Sequence, residues 1–275
     1  LTPLFILGEA VIECLIPYRI ANLINNLNDY GVVLESIIKD GLILAALACA
    51  SLICGTCAAI TAAKAGSGFA KNLRHDMYDC IVKYSFANID RFSSSPLVTR
   101  MTTDVGYVQM AFMIIIRMAI RCPLMLIFSI IMAYIMGGTL STMFVIVVPV
   151  LAVGLFLVAK NAMPAFRSVF RKYDKLNESI EENVSAMRAV KSFVREDYEQ
   201  EKFTRASEDI RKDFTHAERI VALNSPLMQL CLYFNMAFVL YIGSKLIIGS
   251  NGTYINVGQL SAMITYGFQI LSSLM

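Results

Sequence analysis

Tryptophan is absent from this 275-residue sequence, and charged residues and histidine are scarce. Charged side chains make up only 16% of the chain, whereas soluble domains contain nearly a quarter. Since 57% of the residues are hydrophobic, the composition excludes an ordinary soluble domain and favours an all-helical membrane protein. The two histidines form no cluster with cysteine or glutamate at ligand spacing, so we expect no metal site. The net charge of +3 is small and does not indicate a nucleic-acid partner.

Long uncharged runs predict an all-α polytopic membrane protein with six transmembrane helices. The predicted spans cover about residues 1–27, 41–63, 105–136, 139–160, 220–248 and 257–275. Residues 41–63 carry no charge and are long enough to cross ~30 Å of hydrocarbon at about 1.5 Å per residue. The uncharged run 122–159 is too long for one span, and Gly137-Gly138-Thr139 predicts the turn that divides it.

Two polar, helical arms lie between these spans, at residues 64–104 and 160–219. In the second arm, apolar residues recur on one helix face from Ile180 to Val190, which is typical of an amphipathic helix. In the first arm, Pro96 removes a backbone donor and disfavours helix before it, so we expect helix, turn, helix around residues 93–96.

The basic residues predict which side of the membrane the arms occupy. The two arms hold 19 of the 24 lysine and arginine residues, whereas the opposite connections hold only Lys39. By the positive-inside rule, both arms are cytoplasmic, and we expect a multi-pass protein of the plasma membrane that contacts lipid.

Several charged or polar residues interrupt the predicted spans, where they are costly and usually face a bundle interior or a water-filled cavity. Arg117 and Arg121 lie one turn apart on the third span, and two interpretations remain open. In one interpretation, they pair with Glu9 or Glu13 or snorkel. In the other, they line a polar cavity. The candidate substrate cavity comprises Glu13, Arg117, Arg121, Tyr233 and Asn235.

Two segments of the arms carry a family resemblance. Residues 175–196, KLNESIEENVSAMRAVKSFVRE, followed by Glu201-Lys202-Phe203, resemble the second intracellular loop of ABC exporter transmembrane domains of the type IV fold. Residues 89–104, IDRFSSSPLVTRMTTD, resemble the first intracellular loop of that family. Thr99 before Arg100, without the usual glycine, is similar to multidrug-type bacterial half-transporters, which often form heterodimers. The resemblance covers essentially the whole chain.

The resemblance implies that each arm ends in a short coupling helix lying across an ATP-binding domain, at about residues 91–98 and 192–199. It also implies dimerisation with a second transmembrane half and alternating access driven by ATP. The residues expected to contact the nucleotide-binding domain are Asp90, Arg91, Phe92, Ser93, Ser94, Ser95, Leu97, Arg100, Ser192, Phe193, Val194, Arg195, Glu196, Asp197 and Tyr198.

The sequence contains no G-x-x-x-x-G-K-[ST] phosphate loop. We therefore expect no catalytic residue and no bound cofactor in this chain, with ATP and Mg held by a nucleotide-binding domain outside it. The expected cargo is an amphiphilic drug or a lipid. An ion-coupled secondary transporter is the alternative, although it would require inverted repeats that we do not find. An intramembrane enzyme is a third possibility, for which only Glu9 and Glu13 are suitable carboxylates.

Overall fold

A computed structural model describes residues 1–28, 34–85, 94–250 and 254–274 of the chain. These residues form α-helices and short connections and contain no strand, so the all-α fold class predicted from the sequence is confirmed. In chain order, the described helices are α1 (Thr2–Asn28), α2 (Leu34–Val82), α3 (Ser94–Thr99), α4 (Val105–Gly137), α5 (Thr142–Ser185), α6 (Met187–Ser192), α7 (Glu196–Ala222), α8 (Asn224–Ser250) and α9 (Val257–Ser273). A π-helical turn, Arg100–Asp104, joins α3 to α4, and a 3-10 turn, Gly138–Ser141, joins α4 to α5.

Three helical stretches within the described residues are long and apolar enough to cross a membrane: Ile37–Val82, Pro96–Ser185 and Glu196–Ser250. Each of them runs past the predicted end of a span and into a polar arm. Helix α2 continues from an apolar run into the first arm and α5 into the second, while α7 and α8 lead from the second arm into the next apolar run. The ends of the six spans therefore stay a prediction.

The chain forms two compact units, of which the first contains Leu1–Phe144 and Asn235–Leu274. Helices α1, α2, α4 and α9 pack together there, and the contacts are made largely by small side chains such as Ala10, Ala21, Ala58 and Ala62, all at most 2% exposed. Small residues allow helix backbones to approach closely, which is how helices associate where no water is present.

The turn between α4 and α5 lies where the sequence predicted it. Gly138 adopts a φ of 51°, a left-handed conformation that glycine accepts at no steric cost. The hydroxyl groups of Thr139 and Tyr254 lie 2.7 Å apart and connect this turn to the segment preceding α9. The first unit is thus tied together at the end of α4 as well as through its helix contacts.

The second unit, Val145–Phe234, contains the antiparallel legs of the second arm. Its legs are α5 and α7, and Asp213 on α7 accepts hydrogen bonds from Lys172 Nζ at 2.7 Å and Ser168 Oγ at 3.4 Å on α5. Close by, the rings of Phe166 and Phe214 meet edge to face with centroids 6.1 Å apart. Polar and aromatic contacts therefore brace this hairpin where the two legs run side by side.

Candidate functional site: interior charges and the arm tips

An ion cluster connects α1 to α4 inside the first unit. Arg121 donates from Nη1 to Glu9 Oε1 at 3.0 Å and from Nη2 to Glu13 Oε1 and Oε2 at 2.8 and 3.0 Å. Glu9 and Glu13 lie one turn apart, so a single guanidinium reaches both carboxylates. The Glu9 side chain is only 10% exposed and that of Glu13 26%. Arg121 therefore forms the ion pairs that one of the two interpretations of the sequence predicted.

The Glu9 carboxylate occupies space that only a glycine on α2 leaves free. A Cβ atom at Gly55 would lie 3.1 Å from Glu9 Oε1, closer than an ordinary van der Waals contact. The carboxylate is thus held between the guanidinium of Arg121 on one helix and the bare backbone of another.

A chain of weaker hydrogen bonds extends this cluster towards α9. Tyr266 donates from its hydroxyl group to the carbonyl oxygen of Cys14 at 2.7 Å, and Gln269 Nε2 donates to the carbonyl oxygen of Glu13 at 3.4 Å. Ser129 on α4 donates to Gln269 Oε1 at 3.3 Å. Sequence reasoning missed Ser129 and Gln269, although each is a polar residue within an apolar run.

Arg117 and Arg121 also line a cavity of about 380 Å³ between α2 and α4. The rest of the lining is apolar and consists of Ala59, Ala62, Ala63, Met113, Ile114 and Met118. Arg121 is occupied by the two glutamates. Arg117, by contrast, has no ion pair and no side-chain hydrogen bond with any residue that the structure describes.

The other two candidate cavity residues lie elsewhere. Asn235 on α8 is 2% exposed and packs against Gly267 and the ring of Phe144, and its Oδ1 has no hydrogen-bond partner within the described part of the chain. Tyr233 belongs to the second unit and is 64% exposed. Asn235 does not line the α2–α4 cavity, and the role of both residues in a substrate cavity stays a prediction.

At the tip of the first arm, Asp90, Arg91, Phe92 and Ser93 lie outside the described residues. Helix α3 begins at Ser94, so Pro96 falls in its first turn, where the missing N–H needs no partner. Residue 93 of the break expected around residues 93–96 lies outside the described part of the chain, and residues 94–96 belong to α3.

The backbone of the π-helical turn after α3 contacts α2, the leg that precedes the tip. Arg74 Nε donates to the carbonyl oxygen of Met101 at 3.2 Å, and Leu97 and Arg100 line a cavity of about 240 Å³ with Asp76 and Tyr84 among its other residues. Both Leu97 and Arg100 are predicted coupling residues. Leu97 on α3 and Arg100 in the π-helical turn therefore both lie beside α2.

At the tip of the second arm, the short helix predicted at about residues 192–199 is displaced towards the N-terminus. Helix α6 ends at Ser192, Phe193 to Arg195 form a turn, and α7 begins at Glu196. The N–H of Val194 bonds to the carbonyl oxygen of Lys191, and that of Arg195 to the carbonyl oxygen of Val190. This pair of bonds is a Schellman motif, which terminates a helix with one left-handed residue.

Val194 is that left-handed residue, with a φ of 51°. Glycine is usual at this position, because a β-branched side chain is strained there. The resemblance implied a short helix at about residues 192–199, and no glycine or proline in the sequence marks this turn.

The turn presents its large side chains to the outside. Phe193 is 78% exposed, Val194 83% and Tyr198 57%. The guanidinium of Arg195 lies 5.8 Å from the centroid of the Tyr198 ring, in a cation–π arrangement. Glu196 and Asp197 lie in the first turn of α7, where the helix dipole favours negative charge. The predicted coupling residues of this arm therefore form a single exposed surface with apolar, cationic and anionic groups, here called the second-arm tip (residues 192–198).

Known proteins share sequence similarity with this chain over most of its length. The family described as ABC transporter transmembrane region matches residues 1–274 of the chain. The ABC transporter ATP-binding protein YfiB of Bacillus subtilis is 26% identical over 274 residues, 98% of this chain and 47% of that protein. The ABC transporter ATP-binding protein Rv1273c of Mycobacterium tuberculosis is 26% identical over 240 residues, 87% of this chain and 41% of that protein.

A third relative, named for its activity, is the ATP-dependent lipid A-core flippase of Aromatoleum aromaticum. It is 30% identical over 207 residues, 74% of this chain and 33% of the flippase. The chain thus spans about half the length, or less, of the curated relatives that it matches.

Proposed function

Because this chain belongs to the family of ABC transporter transmembrane regions, we propose that it is the substrate-translocating membrane part of an ATP-driven exporter. Alternating access is driven by ATP binding and hydrolysis in a nucleotide-binding domain outside this chain, which holds ATP and Mg. The observation that carries this proposal is the second-arm tip, an exposed docking surface at the end of a braced helical hairpin. The names of the relatives, which describe ATP-binding proteins more than twice as long as the match, support it.

In this proposal, both arms are cytoplasmic and their tips bind the nucleotide-binding domains. Phe193 and Tyr198 fill a groove on the bound domain, while Arg195 and Glu196 make charged contacts at its edge. Closure of the nucleotide-binding domains on ATP displaces the tip, and the ion pair between Lys172 and Asp213 keeps the legs moving together. The arm then carries a coupling free energy between two sites, in the sense of allosteric linkage.

The complete transporter contains a second transmembrane half, identical or related, in the plasma membrane. Its cargo is an amphiphilic drug or a lipid that enters a cavity lined by the spans. Two observations support an amphiphile: the apolar walls of the α2–α4 cavity with two arginines at one side, and the relative named as a lipid flippase.

Variants of the second-arm tip in the full-length protein test this proposal. Arg195→Glu, Glu196→Lys and Phe193→Ala are expected to keep ATP hydrolysis but to lose most ATP-dependent uptake of a fluorescent amphiphile into inside-out vesicles. Arg205→Glu is the matched control, because Arg205 is an exposed arginine on the same helix whose side chain is 76% accessible and lies outside the tip. Normal transport by all three tip variants would show that this arm does not couple the two activities. ATP-independent uptake driven by an ion gradient would instead indicate a secondary transporter.

A further inference from the structure

Arg117 is a permanent charge without a counter-ion on an apolar helix. Guanidinium groups stay protonated in proteins, and ionisable residues within membrane helices almost always pair with one another or with backbone carbonyls. Arg121, one turn further along α4, meets this requirement through Glu9 and Glu13. Arg117 finds no such partner among the described residues.

The lining of the α2–α4 cavity defines what could supply the missing charge. Both charged groups in this lining are guanidinium groups, and the two nearby carboxylates are held by Arg121 and do not line the cavity. A cationic or neutral headgroup would leave Arg117 unpaired. A phosphate or carboxylate would accept two parallel hydrogen bonds from it, the geometry in which arginine binds anions best.

The remaining walls suit a hydrocarbon chain. Three alanines on α2 keep the cavity open, and Met113, Ile114 and Met118 on α4 provide its apolar side. Methionine adapts its flexible side chain to irregular apolar ligands. A volume of about 380 Å³ lies at the small end of ligand pockets, which run from about 300 to 1,000 Å³. It holds a compact headgroup and the first part of one chain, with the rest of the chain outside.

We propose that the α2–α4 cavity binds an amphiphile with a single compact anionic group, a phosphate monoester or a carboxylate, on Arg117. Arg121 is the positioning residue, because its bonds to α1 fix the position of α4 beside the cavity. That the bound amphiphile is cargo rests on the proposed function, whereas its binding can be measured separately.

The test uses the full-length protein in phosphatidylcholine nanodiscs and isothermal titration calorimetry, with titrations into empty nanodiscs subtracted. The probe is dodecyl phosphate, and dodecyltrimethylammonium and dodecylphosphocholine are its cationic and zwitterionic counterparts. We expect saturable binding of dodecyl phosphate and weak or no binding of the other two. Arg117→Gln should weaken dodecyl phosphate binding at least about tenfold, because a charged hydrogen-bond donor is lost, and Arg117→Lys should restore part of the affinity.

Two further variants separate the site from general effects. Ala63→Leu places an isobutyl group in the wall of the cavity and should reduce binding without any change of charge. Lys245→Gln removes an exposed cation from α8, outside the cavity, and should leave the affinity unchanged.

Equal affinity for the cationic probe would overturn the inference, as would undiminished binding by Arg117→Gln. These outcomes are distinguishable from a failure of the proposed function. ATP-dependent transport without binding of dodecyl phosphate refutes only the anionic site. Binding that depends on Arg117, in a protein without ATP-dependent transport, upholds the site and refutes the exporter.

Discussion

Arg121 balances two carboxylates that would otherwise lie inside the first unit without a counter-charge. Removal of one partner from a buried ion pair costs about 3 kcal/mol or more, because the remaining charge is left desolvated. Arg121→Gln should therefore lower the free energy of unfolding by about 3 kcal/mol, measured by thermal or denaturant unfolding in detergent. The side chains of Glu9 and Glu13 are only 10% and 26% exposed. Water therefore screens the unpaired carboxylates only weakly.

A triple variant provides the control for this prediction. Glu9→Gln, Glu13→Gln and Arg121→Gln together remove all three charges and keep side chains of similar size. This variant should recover much of the lost stability, since no unpaired charge remains. If Arg121→Gln alone is as stable as the wild type, water reaches the two carboxylates freely.

Val194 is held in a conformation that costs a residue with a Cβ atom about 1–2 kcal/mol. Val194→Gly should relieve this strain. Glycine is also more flexible in the unfolded chain, which lowers the free energy of unfolding by about 0.5–1 kcal/mol. The expected net effect is therefore a small rise in melting temperature. Slower hydrogen exchange of the Arg195 amide, which bonds to Val190, should accompany it.

Val184→Gly is the matched substitution, because Val184 is also exposed but lies in regular helix on α5. There the same change should lower stability by about 0.5 kcal/mol, because valine is itself a poorer helix former than alanine. If both variants are destabilised alike, the left-handed conformation of Val194 is not strained.

At the scale of elements, Asp213 joins the two legs of the second arm. The hydrogen bond donated by Lys172 lowers the pKa of Asp213 below its usual value. A lowered pKa means that the stabilisation is fully present above the ordinary pKa of aspartate, ~3.9, and is lost as the pH falls through the lowered value. The difference in melting temperature between the wild type and Asp213→Asn should therefore be constant near neutral pH and shrink below about pH 4.

Asp209→Asn serves as the reference, since Asp209 is an exposed carboxylate on the same helix. Any pH dependence that Asp213→Asn shares with this reference does not come from the bond to Lys172. A difference for Asp213→Asn that stays constant down to pH 3 would mean that the carboxylate contributes nothing through this bond.

The same elements show what the sequence could and could not predict. The turn at Gly138 was predictable because two glycines interrupt an apolar run, and the two arms because charge is concentrated in them. The turn at Val194 was not, since the usual glycine signal is missing and only backbone hydrogen bonds define the helix end. The sequence left the role of Arg121 open between pairing or snorkelling and lining a polar cavity, because spacing along one helix does not reveal which helix packs against it.

At the scale of the whole molecule, the basic residues of the arms predict the orientation in the membrane, and this prediction can be tested with a native cysteine. Cys80 is exposed on α2 within the first arm, while Cys14 and Cys231 are buried. A membrane-impermeant maleimide should label Cys80 in inside-out vesicles and not in right-side-out vesicles. Cys49 is exposed as well but lies in a predicted span, which a membrane-impermeant reagent does not enter.

Cys80→Ser should abolish this labelling, which assigns the signal to one residue. Labelling of Cys80 from the outer side would place the first arm outside the cytoplasm. The coupling of that arm to a cytoplasmic ATPase would then be excluded.

The close approach of Glu9 to Gly55 has a consequence for how this sequence can vary. Any side chain at position 55 crowds the carboxylate at position 9, and displacement of that carboxylate weakens its bond to Arg121. The three positions therefore constrain one another across three helices. Among descendants of this sequence, a larger residue at position 55 should appear together with a shorter or uncharged residue at position 9. The loss of Arg121 should in turn follow, rather than precede, the loss of the two glutamates.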